Sequence, residues 1–218
     1  MDVNGREVAG LIFDFDGTLA DSMWVWDEVD RFFFRKRGLV FDSEAVESIA
    51  VLGFEGGADY VIDRYGLDET PDEIIAEWKD TAHDRYATQV MLKEGAGEYL
   101  RRCHERGVPM AVATSLQRNL LEPSLANNGV LELFDAICVC DELGCGGKSN
   151  PAVYEEAAGQ MGVVVSECAI FEDVVTPARS AKKTGAYVVG VYDEHKQQAS
   201  DALRETCDWF IESWEELL

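Results

Sequence analysis

Short apolar runs with almost no polar interruption alternate along this chain with stretches of helical periodicity. Val8–Phe15 (VAGLIFDF) is the first run, and its continuity predicts a strand buried on both faces. Pro109–Ala113, Ala136–Cys140, Cys168–Phe171 and Tyr187–Val191 repeat the pattern, and Asp208–Ile211 adds a candidate edge strand. Between them, helical spacing predicts Gly97–Arg106, stopped by Gly107, and Pro151–Gln160, stopped near Gly162. Strands alternating with helices in this way imply an α/β fold, a doubly wound parallel sheet of Rossmann-like type.

Residues 21–93 break the alternation and hold no convincing β run. Ser22 is placed to cap a helix through Arg37, with Trp26, Val29 and Phe33 apolar and Gly38 as its stop. Ser43–Leu52 and Ala58–Tyr65 predict two more helices. Thr70-Pro71-Asp72-Glu73 opens a fourth with a capping Thr, Pro at the first helical position and Glu three residues after the cap. The predicted organisation is an α/β core over 1–20 and 94–218, interrupted by an α-helical cap over 21–93. An insert directly after the first strand projects from the carboxyl end of that strand, where open α/β sheets bind ligands, and can act as a lid.

Composition narrows the function classes. Of 218 residues, 47% are apolar, enough for a sizeable core, and the net charge is −23. Such a surface repels polyanions, so nucleic acid and anionic membrane are not expected partners. No apolar run approaches the roughly 20 residues that span a bilayer. Met1–Glu7 is polar, and the apolar run after it breaks at Asp14 and Asp16, unlike a secretory signal. Six irregularly spaced cysteines (103, 138, 140, 145, 168 and 207) fit reduced thiols in a cytoplasmic protein, and nothing in the pattern demands more than a monomer. Cys138, Cys140 and Cys145 lack the second ligand pair of a zinc site. His83, His104 and His195 have no partner motif for nucleophilic catalysis.

The densest chemistry lies in Asp14-Phe15-Asp16-Gly17-Thr18-Leu19. Two carboxylates two residues apart at a strand end point to one side. Holding them together is costly unless a cation, a shared proton or hydrogen bonds compensate. Gly17 permits a tight turn that brings backbone N–H groups toward an anion.

The stretch D-F-D-G-T-L-A-D-S resembles the first motif of the haloacid dehalogenase superfamily. Val112-Ala113-Thr114-Ser115 is similar to the second motif, Gly147-Lys148-Ser149-Asn150-Pro151-Ala152-Val153-Tyr154 to the third, and Phe171-Glu172-Asp173 to the start of the fourth. Any one match is weak, since a Thr after a strand is usually only a helix cap; four in order, each at a strand end, are not. The helical insert matches the subgroup of β-phosphoglucomutase and many sugar-phosphate and nucleotide phosphatases.

The resemblance implies roles. Asp14 is the nucleophile that takes the phosphoryl group, and Asp16 the acid and then base. Thr114 donates a hydrogen bond to the phosphoryl oxygens, and Lys148 adds charge to them while holding Asp14 ionised. Mg2+ is held by Asp14, the Asp16 carbonyl and Asp173, with Glu172 close by. Gly17 and Ser115 are implied at the phosphate. Trp24 and Trp26 are either core or leaving-group contacts, and Gly53-Phe54-Glu55-Gly56-Gly57 resembles the cap's specificity loop, placing Phe54 there. The chain departs from the pattern at Ser149, Ala152, Val174 and Pro177. Val174 replaces a Ser whose hydroxyl could orient a metal ligand.

The function so implied is Mg2+-dependent hydrolysis of a small phosphorylated metabolite through an aspartyl-phosphate. A β-phosphoglucomutase-like phosphotransferase is the alternative. Trp26 occupies the place of that enzyme's motif-one-helix His, and Glu55-Gly56-Gly57 supplies no basic residue in the cap loop; both weigh against it. Haloacid dehalogenases proper and phosphonatases lack the second motif-one Asp, so Asp16 argues against both. A non-catalytic binding protein of the same fold rests only on Val174 and Pro177.

Overall fold

Six strands pair in one sheet, and burial on both faces explains why their sequences are apolar without alternation. They are β1 (Gly10–Phe13), β2 (Met110–Thr114), β3 (Ala136–Val139), β4 (Cys168–Glu172), β5 (Tyr187–Val191) and β6 (Trp209–Ile211). The spatial order is 6-5-4-1-2-3, and every pairing is parallel. In the centre, Leu11 pairs with Met110 on one side and Ala169 on the other. The computed structural model describes residues 1–195 and 200–218. They form two units, Met1–Met23 with Val90–Leu218, and Trp24–Gln89.

Alternation along the strands divides the α/β core into two halves. Ile12, Ala111, Ala113, Ile170 and Val188 face a cluster that includes Val153, Tyr154 and Ala157 of the helix Ala152–Gln160. Phe13 and Phe171 turn the other way and stack with ring centroids 4.9 Å apart, against Tyr99 and Trp214. The parallel α/β architecture agrees with the sequence reading. The first strand is shorter than the Val8–Phe15 run, because the chain leaves the sheet after Phe13.

The expectation of no strand over 21–93 fails at both ends. Ala20–Asp21 pairs antiparallel with Met91–Leu92, a ribbon too short to leave a hydrophobic period. All six cysteines are free. Among the described residues, no helix is long and apolar enough to cross a membrane.

The second unit is helical: α1 (Trp24–Lys36), α2 (Ser43–Tyr65) and α3 (Pro71–Thr88). Thr70 and Glu73 form a reciprocal capping box, with Pro71 in the first turn of α3. Phe33 packs on Trp78, and Phe34 on Tyr65 and Phe41. As the sequence reading has it, α2 is two helices, meeting at a kink at Gly53, whose φ of 71° and ψ of −172° suit glycine alone; the second begins directly after Gly53 rather than at Ala58. Gly56 and Gly57 are helical. A Cβ on them would stand 3.1 Å from Leu52 Cβ and 3.0 Å from Ile49 Cγ2, so they let the chain pack closely across the break. Segment 54–57 is therefore helix, and the loop expected there is corrected.

Candidate active site

The acids and the threonine singled out by sequence stand at or just beyond the carboxyl ends of the central strands, and Lys148 reaches them from the segment between the helices Cys140–Leu143 and Ala152–Gln160. Asp14 directly follows β1, and its N–H donates to Phe171 O at 3.0 Å. Thr114 ends β2; Glu172 ends β4 and Asp173 follows it. Strand alternation turns Ile12 and Ile170 toward the helix Ala152–Gln160, and the same parity carries Asp14 and Glu172 to that side.

Lys148 joins the two acids. Its ammonium donates to Asp14 Oδ1 and, at 2.6 Å, to Glu172 Oε1, and the three side chains are buried. Tyr154 O–H donates to Glu172 Oε1 at 2.6 Å. Burial disfavours the lysine's charge, but Asp14 and Glu172 outweigh it and hold Lys148 above the ordinary range. Glu172 is pushed up to about 8, chiefly by burial, which Lys148 opposes and Asp14 and Asp173 reinforce. One lysine does not satisfy this many acids.

Thr18 O–H lies 3.1 Å from Asp14 Oδ2 and 3.3 Å from Asp173 Oδ1. Asp16 is half-buried and accepts from Ser22 O–H at 2.6 Å. Gly17 has φ +81°, and a Cβ there would collide with Asp173 Oδ2 and stand 3.2 Å from Asp193 Oδ2. Only glycine lets the turn close on those carboxylates. Thr114 Oγ1 accepts from Leu116 N–H at 3.0 Å, leaving its own hydrogen to donate. Ser115 is exposed, with its hydroxyl 3.7 Å from Cys140 Sγ.

Two supporting groups carry no motif. Lys93 Nζ donates to Gly17 O, to Tyr192 O at 2.7 Å and to Asp193 Oδ2 at 3.0 Å. Trp214 Nε1 donates to Thr18 O at 3.1 Å. Together they pin both sides of the turn after Asp16. Tyr154 lies inside the third motif and its role was readable there; Lys93 had no such signal.

Val174 is the N-cap of the helix Val175–Lys182, with no side-chain cap. Pro177 falls in that helix's first turn, where a missing N–H costs little. Trp26 and Phe54 meet in the helical unit with centroids 5.9 Å apart and line one cavity; Trp24 does not line it.

One oxygen each from Asp14, Glu172 and Asp173 lies within 4.8 Å of the others, all three residues buried. Glu172 Oε2 is buried without a hydrogen-bond partner. A hard divalent cation fits such an all-oxygen set, and an orphaned carboxylate oxygen is a feature that a cation would satisfy.

A doubly wound sheet with a lysine, a threonine and several carboxylates gathered at its carboxyl edge defines an α/β enzyme domain with an acidic centre suited to a metal. The family model for haloacid dehalogenase-like hydrolases matches residues 11–191, and the chain belongs to that family. It is 30% identical over 189 residues to validoxylamine A 7'-phosphate phosphatase of Streptomyces hygroscopicus subsp. limoneus, covering 86% of this chain and 87% of that one. It is 28% identical over 188 residues to the fructose-1-phosphate phosphatase of Escherichia coli, covering 84% and 96%. A haloacid dehalogenase family hydrolase of Deinococcus radiodurans, solved with bound phosphate and sodium, superposes with a TM-score of 0.72 at 27% identity, over 97% of this chain and 94% of that one. A structure described as a putative β-phosphoglucomutase from Thermotoga maritima reaches a TM-score of 0.81 at 19% identity, over 96% of each chain, a likeness of fold alone. The relatives named as phosphatases support a phosphoric monoester hydrolase.

Proposed function

We propose that this chain hydrolyses the phosphate monoester of a small metabolite, with Asp14 as nucleophile and Asp16 as proton carrier. The observation that carries the reading is the cluster of Asp14, Glu172 and Asp173 around Lys148, with Glu172 Oε2 left unsatisfied.

Asp14, in contact with the Lys148 ammonium, attacks phosphorus, forming an aspartyl-phosphate as the alcohol leaves. Asp16, steadied by the Ser22 hydroxyl, protonates the leaving oxygen and then takes a proton from the water that cleaves the aspartyl-phosphate. Thr114, with its O–H available, and Lys148 bind the phosphoryl oxygens. Asp14, Asp173 and Glu172 would hold Mg2+, which when bound offsets the repulsion between these acids and a phosphate dianion. The substrate class is a sugar phosphate or nucleotide.

The test is phosphate release from a panel of sugar phosphates, nucleotides and phosphorylated acids, with and without Mg2+, for wild type and Asp14→Asn. Metal-dependent release that vanishes in the variant is expected. Release that survives in Asp14→Asn removes the nucleophile, and no release from any ester removes the hydrolase.

A further inference from the structure

The helical unit carries a cavity of its own. Trp26, Asp30, Val46, Ile49, Gly53 and Phe54 line a space of about 320 Å3, near the lower end for small-molecule sites, about 300 Å3. Trp26 and Asp30 share one face of α1 at four-residue spacing. The break at Gly53 brings Phe54 opposite Trp26.

Asp30 is the anomaly. It is the one charged residue in this lining, and among the described residues it makes no hydrogen bond or ion pair. A carboxylate set among apolar walls without a partner is costly. Burial first, then repulsion from Asp27, lifts its pKa to about 6, so it still carries charge at neutral pH. Trp26 is 37% exposed and Phe54 36%, leaving ring surface open. Lys79 Nζ lies 5.5 Å from the Phe54 ring centroid but does not line the cavity, so no side chain in the lining neutralises Asp30.

Aromatic faces attract a cation, and an unpaired carboxylate at their edge supplies both counter-charge and hydrogen-bond acceptors. We propose that this cavity binds a small protonated primary or secondary amine, with Asp30 as counter-ion and Trp26 and Phe54 as walls.

The test uses the full chain and two probes of one shape, cyclohexylamine and cyclohexanol, followed by calorimetry and tryptophan fluorescence at neutral pH. The amine is expected to bind about tenfold tighter or more than the alcohol, and Asp30→Asn to remove that preference while the circular dichroism stays unchanged. Trp26→Ala weakens the amine about tenfold. Equal binding of both probes, or an amine preference that survives Asp30→Asn, overturns the site.

Discussion

In the helical unit, Arg37 lies half-buried between Glu69 and Glu77; in the α/β unit, Lys148 is buried between Asp14 and Glu172. The first cluster closes on itself. Arg37 Nε donates to Glu69 Oε2 at 2.9 Å, and Nη1 donates to Glu77 Oε1 at 2.7 Å and to Phe33 O at 3.1 Å. Lys36 adds a second cation to Glu77. Burial works against the Glu77 charge, yet hydrogen bonds from Arg37 and Lys36 hold it below the usual range. In the second cluster burial prevails: Glu172 rises to about 8, and its Oε2 finds no partner. Two cations meet two acids in the one; a single lysine meets Asp14 and Glu172, with Asp173 beside them, in the other. Buried charge that is fully paired belongs to architecture. Buried charge left in excess marks a place where something positive is to arrive.

The sharpest way to break that contrast is to remove one member of each cluster. Asp14→Asn is expected to cut turnover by about a thousandfold or more, with folding intact. Arg37→Met should cost about 1–2 kcal/mol in urea unfolding, because it strips Glu69 of its partner and leaves Glu77 only Lys36, yet leave kcat of the folded enzyme unchanged. Loss of kcat in Arg37→Met would erase the distinction between the clusters.

Metal titration sharpens it next. Mg2+ at about a hundredfold Kd should stabilise wild type by about 2.7 kcal/mol, seen as a higher thermal midpoint, and Asp173→Asn should lose that gain. An unchanged midpoint in wild type would count against a cation at this centre.

Lys93 tests whether the acids are held as well as gathered. Lys93→Met frees Gly17 O and takes away the ammonium partner of Asp193 Oδ2, and is expected to lower kcat about tenfold with KM little changed. Lys93→Arg should restore part of it. A purely structural lysine would lower stability but not kcat.

The smallest effect concerns Asp30. Its folded pKa, about 6, lies above the unfolded value, so its contribution to stability is complete below about pH 4 and is lost as pH rises through 6. Asp30→Asn should match wild type at pH 4 and exceed it by about 1 kcal/mol at pH 7.5, a figure reduced for partial exposure. Equal stability at both pH values would show Asp30 to be solvated.

Much of this arrangement is legible in the sequence because a strand buried on both faces leaves an uninterrupted apolar run, and a site at its carboxyl end follows that run directly. Asp14, Thr114 and Glu172-Asp173 are found in this way. The ribbon of Ala20–Asp21 with Met91–Leu92 is not, since two residues define no period. Gly53, Gly56 and Gly57 together read as a loop. Only three-dimensional packing shows that one breaks the helix and two make room for Ile49 and Leu52. Lys93 binds two backbone carbonyls besides Asp193, and carbonyls carry no sequence signature. Asp30 looks like any helical surface acid until the cavity is seen.

The most direct measurement of the central claim is a rapid acid quench of wild type during turnover of a substrate identified from the panel, followed by hydroxylamine treatment and peptide mass spectrometry. The acyl phosphate present in the steady state should be trapped, and the hydroxamate should fall on Asp14. Modification of a different residue would contradict the account.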